Sequence, residues 1–182
     1  MIATRAPPPA RPTGLKGDFS VSTHAFEAKR IDISSAKPFP FTLAALENRV
    51  PPADLPALTR LASSRAGPQG IEDAVQVMVG DSGFIRLAKV DQRPLVSLLG
   101  KPQRMTVYLI ASPVLANRMC ERNPAVGVYA PLRVSIYEAD GRTHFTYDQP
   151  SGLLNQFDDE EIRAVGRILD DKVTALADYV LR

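Results

Sequence analysis

The chain has 182 residues, 45% hydrophobic and 23% charged, proportions of a soluble globular protein rather than a disordered or fibrous one. Its formal net charge is +2, which Arg5, Arg11 and Lys16 against Asp18 already supply; the rest of the chain is neutral, and no nucleic-acid surface is expected. Cys120 is the only cysteine, which excludes an internal disulfide, and with no secretory leader pattern and no apolar run of about 18 residues the chain reads as cytoplasmic and not membrane-bound.

Residues 1–20 are rich in Pro, Ala and Arg and read as a disordered or polyproline-like tail. A single domain is expected from 21 to 182. Its first strand is "HAFEAKRIDIS", with Phe26, Ile31 and Ile33 as apolar points. Three short helical patterns follow, "FTLAALENRV", "ADLPALTRLASS" and "GIEDAVQVMVG"; in the second, Asp54 is placed to cap and Pro56 sits in the first turn, where a missing N–H costs little. "GFIRLAKVDQ" and "QRMTVYLIAS" read as strands. In the latter Met105, Val107 and Leu109 alternate with Arg104, Thr106 and Tyr108, which assigns the first set to the core and the second to solvent.

Ser112-Pro113 opens the helix "VLANRMCER", which Asn123-Pro124 stops. The last helix, "DDEEIRAVGRILDDKVTALADYVL", begins with a capping-box-like Asp158 and Glu161. It carries an apolar stripe of Ile162, Val165, Leu169, Val173, Leu176 and Val180 that needs a sheet to cover. Strands separated by helices, with a hairpin near the end, predict an α+β fold: an antiparallel sheet with helices packed on one face.

That hairpin is "RVSIYEADGRTHFTYD". A two-residue type I′ loop at Asp140-Gly141 sets facing residues so that their numbers sum to a constant. Val134 then faces Tyr147, Ile136 faces Phe145 and Glu138 faces Thr143 on the covered side. Arg133 faces Asp148, Ser135 faces Thr146 and Tyr137 faces His144 on the other. The opposite-charge pair favours this register, and a slip by one residue would mix the two faces. On the polar side Arg133, Tyr137 and His144, joined by Tyr108 and Arg104 from the neighbouring strand, form the candidate binding surface for a small ligand or a second subunit. Tyrosine and arginine are residues that interfaces prefer. Glu138, on the covered face beside the turn, is the candidate catalytic carboxylate, because partial burial raises a carboxyl pKa toward general acid–base use; Tyr147 or Tyr137 would assist it.

Other constellations carry less. "GDSGF" at 80–84 resembles a serine-protease nucleophile loop, but it follows a helical pattern and reads as a turn. His24, His144, Cys120, Met119 and Met105 are scattered without ligand spacing, so no metal site is expected. No glycine cluster has phosphate-loop or dinucleotide spacing, and no cofactor is expected. The acidic runs at 158–161 and 170–171 read as capping and solvated residues of the last helix.

From Ser112-Pro113 and Leu115 through Met119, Asn123-Pro124, Gly127, Pro131-Leu132-Arg133-Val134, Tyr137-Glu138, Gly141, Tyr147, Pro150, Leu153 and Leu154, the chain resembles the DUF302 family of small bacterial and archaeal domains. "GFIRLAKVDQ", "LVSLLGKP" and "FEAKRIDIS" fit the same pattern more loosely, so the resemblance spans about residues 22–182. It implies a β-α-β(4)-α sandwich like the repeat of the TATA-binding protein, often dimeric, with the helical patterns between 41 and 79 as an insertion. Family members often carry His where Gln92 follows Asp91 here, which weighs against a shared catalytic or metal role. DNA binding does not follow from the fold. The reading is a non-enzymatic homodimer that binds a small ligand or protein partner; the alternative is a hydrolase or isomerase using Glu138.

Overall fold

A computed structural model describes Gly17, residues 20–98, Gly100 and residues 103–182; all but two residues of the 1–20 tail lie outside the described residues. Among the described residues the order is β1 (Arg30–Ser35), α1 (Phe39–Arg49), α2 (Leu55–Ala62), α3 (Pro68–Val79), β2 (Ile85–Asp91), α4 (Arg93–Val96), β3 (Met105–Ala111), α5 (Pro113–Arg122), β4 (Leu132–Ala139), β5 (Arg142–Asp148), α6 (Pro150–Leu154) and α7 (Glu160–Leu181). Five strands among these residues form one antiparallel sheet in the order β1-β5-β4-β3-β2. The architecture is the α+β arrangement expected, with α5 interposed between the third and fourth strands.

Local chemistry accounts for many of these boundaries. Asp54 caps α2 by accepting from the Ala57 N–H at 2.8 Å, and the Asn123 side chain accepts from Ala125 N–H just beyond the end of α5. Asp140 and Gly141 have φ of 51° and 71°, both left-handed, as a type I′ loop requires. The β4–β5 register follows: Val134 faces Tyr147, Ile136 faces Phe145, Tyr137 faces His144 and Glu138 faces Thr143. The cap of α7 is Asp159 rather than Asp158, because its carboxylate accepts from both Glu161 N–H and Ile162 N–H; Asp158 points outward to Arg163. Phe26 lies before β1 rather than in it, half-exposed with its ring edge-on to Tyr129.

The core lies between one sheet face and α1, α5, α6 and α7. All six predicted stripe residues of α7 are buried there, against Val134, Ile136, Phe145 and Tyr147. A smaller cluster joins α2 and α3 to the start of β2: Val75, Val79 and Ile85 are buried, with Leu58, Leu61 and Ala111 packed against them. The rest of the second sheet face has no helix over it among the described residues.

β3 is inverted relative to expectation. Thr106, Tyr108 and Ile110 are buried, whereas Met105, Val107 and Leu109 lie on the open face. Thr106 and Tyr108 are the more polar residues of the strand, so alternation within it does not choose the observed face. Pairing does: Thr106 lies opposite Ile136 and Tyr108 opposite Val134, and residues directly across an antiparallel ladder share a side.

Candidate functional site

Tyr108 therefore belongs to the core. Its hydroxyl donates to the Glu47 carboxylate of α1 at 2.8 Å, and the same carboxylate pairs with Lys89 at 2.6 Å and Arg86 at 3.1 Å. Burial, and then the hydrogen bond to a carboxylate, push the Tyr108 phenol far above its ordinary range. Partial burial alone would raise the Glu47 pKa, but hydrogen bonds from Lys89, Tyr108 and Arg86 outweigh it and leave the carboxyl below its ordinary value of 4.5. A depressed carboxyl stabilises the fold above its unfolded-state pKa, and that contribution is lost as pH falls through the folded-state value. Glu47→Gln is thus expected to cost about 1–2 kcal/mol at pH 7. The gap in urea midpoint between variant and wild type should narrow on going to pH 3; a gap that stays constant with pH would refute the linkage.

Arg104 also leaves the predicted cluster, and it pairs with Glu138, the candidate catalytic carboxylate. Arg104 lies just before β3 and Glu138 near the end of β4, in the row that faces the helices, and both are exposed. Glu138 is exposed, with its side chain 36% accessible and a guanidinium nitrogen of Arg104 at 3.3 Å. The expectation of a half-buried carboxylate fails although Thr143, directly opposite in the same row, is buried: at this end of the sheet the cover reaches β5 but not Glu138 of β4. Tyr147 is in the core, its hydroxyl 3.2 Å from Thr174 Oγ1. The Ser82 hydroxyl of "GDSGF" lies 3.2 Å from both the Val79 and the Phe84 carbonyl oxygens and accepts from the Phe84 N–H in a one-turn 3-10 segment, which gives it a structural use.

Arg133, Tyr137 and His144 do share the open face, but only Tyr137 and His144 meet; Arg133 lies at the other end of the row. The Tyr137 and His144 rings stack with centroids 4.7 Å apart and 13° between planes. Beneath this pair lies a residue that the hairpin alone does not reveal. Asp32 of β1 accepts from Tyr137 Oη at 3.1 Å and lies 3.1 Å from His144 Nδ1. Burial first, and then Asp32, raise the Tyr137 pKa. β1 pairs with β5, so its outward row of Arg30, Asp32 and Ser34 continues the row of Asp148, Thr146 and His144. The alternation in "RIDISS" indicates that Asp32 shares a face with Arg30; the partner strand, over a hundred residues away, is not written locally.

At the other end of the rows, Arg30 Nε lies 3.3 Å from one Asp148 oxygen and an Arg133 terminal nitrogen 3.6 Å from the other. Between the two ends runs a groove of ≈ 600 Å³, bordered by Met105, Val107, Ser135, Tyr137, Asp32 and Arg133. Its volume falls within the range of small-molecule sites. Among the described residues no group of three or more His, Cys, Asp or Glu side chains is placed to hold a metal, and no helix is long and apolar enough to cross a membrane.

The family described as "Domain of unknown function DUF302" matches residues 59–179. A solved structure, "Crystal structure of uncharacterized conserved protein DUF302 from Bacillus stearothermophilus", is similar in fold, with a TM-score of 0.61 at 15% sequence identity, covering 84% of this chain and 98% of that one. No curated protein matches the chain.

Proposed function

The chain belongs to the DUF302 family, and from that premise we propose that it is a binding module, acting as a homodimer, that receives a small molecule on the open face of its sheet. The observation that carries this is the ≈ 600 Å³ groove where the apolar row of β3 meets the polar row of β4. A few placed polar groups beside an apolar floor are what a ligand site needs.

The arrangement favours binding over catalysis. Nucleophilic catalysis needs a nucleophile held by a base held by an orienting group. Asp32 orients His144, but the Tyr137 hydroxyl hydrogen-bonds to Asp32, so the chain of roles stops at the imidazole. Glu138, the candidate of the enzymatic alternative, has Arg104 as its partner in an exposed position.

Native mass spectrometry of the full chain purified from its own host tests the proposal. The expected spectrum is a dimer with a retained small-molecule mass. Val107→Arg, which fills the groove floor, should remove that mass and leave the dimer. A strict monomer with no adduct would overturn the reading.

A further inference from the structure

Resting on the open-face reading above, we propose that the ligand is a small amphipathic monoanion: a carboxylate head held at Arg133 and Arg30, with an apolar tail along β3. The open face is divided by strand. On β3 the outward row is Met105, Val107 and Leu109, and β2 widens it with Val90 opposite Val107 and Ala88 opposite Leu109. Val90 is 40% exposed, and no helix covers this strip among the described residues. On β4 the outward row is Tyr137, Ser135 and Arg133, directly opposite Met105, Val107 and Leu109 in that order. An apolar strip therefore runs beside a polar row from the stacked rings at one end to Arg133 at the other. Tyr137 lies four positions along the strand from Arg133, about 13 Å, a length suited to a medium-chain acyl tail.

The head group follows from which charges already have partners. Two carboxylates and two guanidiniums border the groove. Asp32 is engaged by Tyr137 and lies against His144, inside the sheet rows. Asp148 is the better buried member of its cluster, with 26% of its side chain accessible, and it is shared between two arginines that are 74% and 75% accessible. Arg30 makes one hydrogen bond to it, through Nε at 3.3 Å. The Arg133 guanidinium stands at 3.6 Å, beyond hydrogen-bonding reach, and donates no side-chain hydrogen bond among the described residues. One carboxylate balances one of the two guanidiniums, and the outward N–H groups of both face solvent at the groove's end. That end carries one net positive charge, hydrated in the free protein, which favours an anion, and a planar carboxylate matches the guanidinium fork in two-point fashion. A neutral ligand of the same shape would leave that charge unanswered.

Decanoate and decanol, each below its aggregation limit, separate the two statements when titrated into the full-length protein and followed by backbone amide chemical shifts and calorimetry. Decanoate is expected to shift the amides of β3 and β4 and to bind at least tenfold tighter than decanol. Arg133→Gln should weaken decanoate about tenfold and leave decanol unchanged; Arg30→Gln should weaken decanoate by a smaller factor. Both substitutions lie on exposed strand positions, and circular dichroism checks that the fold is retained. Equal binding of decanoate and decanol at β3 and β4 would overturn the anionic head group and leave the open-face site standing. Binding of neither, or shifts confined to other elements, would overturn the open-face site and this inference with it.

Discussion

Phe145→Ala is expected to destabilise the protein by about 3–5 kcal/mol, the range for emptying a fully buried aromatic position. Phe145 is 0% exposed and lies in β5 between Ile33 of β1 and Ile136 of β4, all three facing the helices. Its ring meets Tyr147 edge-on, with centroids 5.9 Å apart at 77°, so truncation also removes an aromatic pair. The flanking strands are hydrogen-bonded on both sides of β5 and restrict collapse into the space left behind. Urea unfolding should show a lower midpoint with an unchanged slope. Phe145→Leu should recover more than half of the loss, because most of the volume returns. A cost below about 1 kcal/mol would mean that Phe145 is not a core residue.

Asp170→Ala is expected to cost about 2–3 kcal/mol, through loss of charge-assisted hydrogen bonds to partly buried donors. Asp170 of α7 accepts from the Ser151 N–H at 2.9 Å, from the Ser151 hydroxyl and from Gln149 Nε2 at 2.9 Å. α6 has no side-chain cap of its own, so a carboxylate from another helix supplies it. The contact is close: a Cβ added at Gly166, one turn earlier on α7, would lie 3.0 Å from Ser151 Cα. Asp170→Asn should restore part of the stability, since one oxygen can still accept while the amide nitrogen opposes a donor. Ser151→Ala in the Asp170→Ala background should add less than it does alone, because the two share one interaction. Additive costs in that double-mutant cycle would show that Asp170 does not act through α6. The effect bears on the groove as well, since Gln149 follows Asp148 directly and carries the end of β5 into α6.

The residues of the candidate site were legible to different depths. Tyr137 facing His144 and Arg133 near Asp148 could be read from the chain, because a two-residue turn with two left-handed positions sets the register of everything beside it. Asp32 could not be joined to them, because the β1–β5 pairing closes a loop of over a hundred residues and no local pattern names the partner. Glu138 had the right parity for the covered face, but parity does not say which positions of that row are covered: Thr143 opposite it is buried and Glu138 is not.

The chain by itself determined what short-range chemistry controls: the Asp140-Gly141 turn, the facing pairs that follow from it, the helix that Pro113 opens and Asn123-Pro124 closes, and the buried stripe of α7 set by its 3.6-residue period. The tertiary structure alone decided which side of β3 faces the core, because Met105, Val107 and Leu109 are more apolar than Thr106, Tyr108 and Ile110 and the alternation within the strand points the other way. The choice was made by β4, whose apolar row pairs with the second set, and by Glu47, which gives the buried Tyr108 hydroxyl an acceptor. Placing Tyr108 inside turned Met105, Val107 and Leu109 outward, and that exchange is what makes an apolar strip beside Arg133: a property of strand pairing across the sheet, with no counterpart in the periodicity of any one segment.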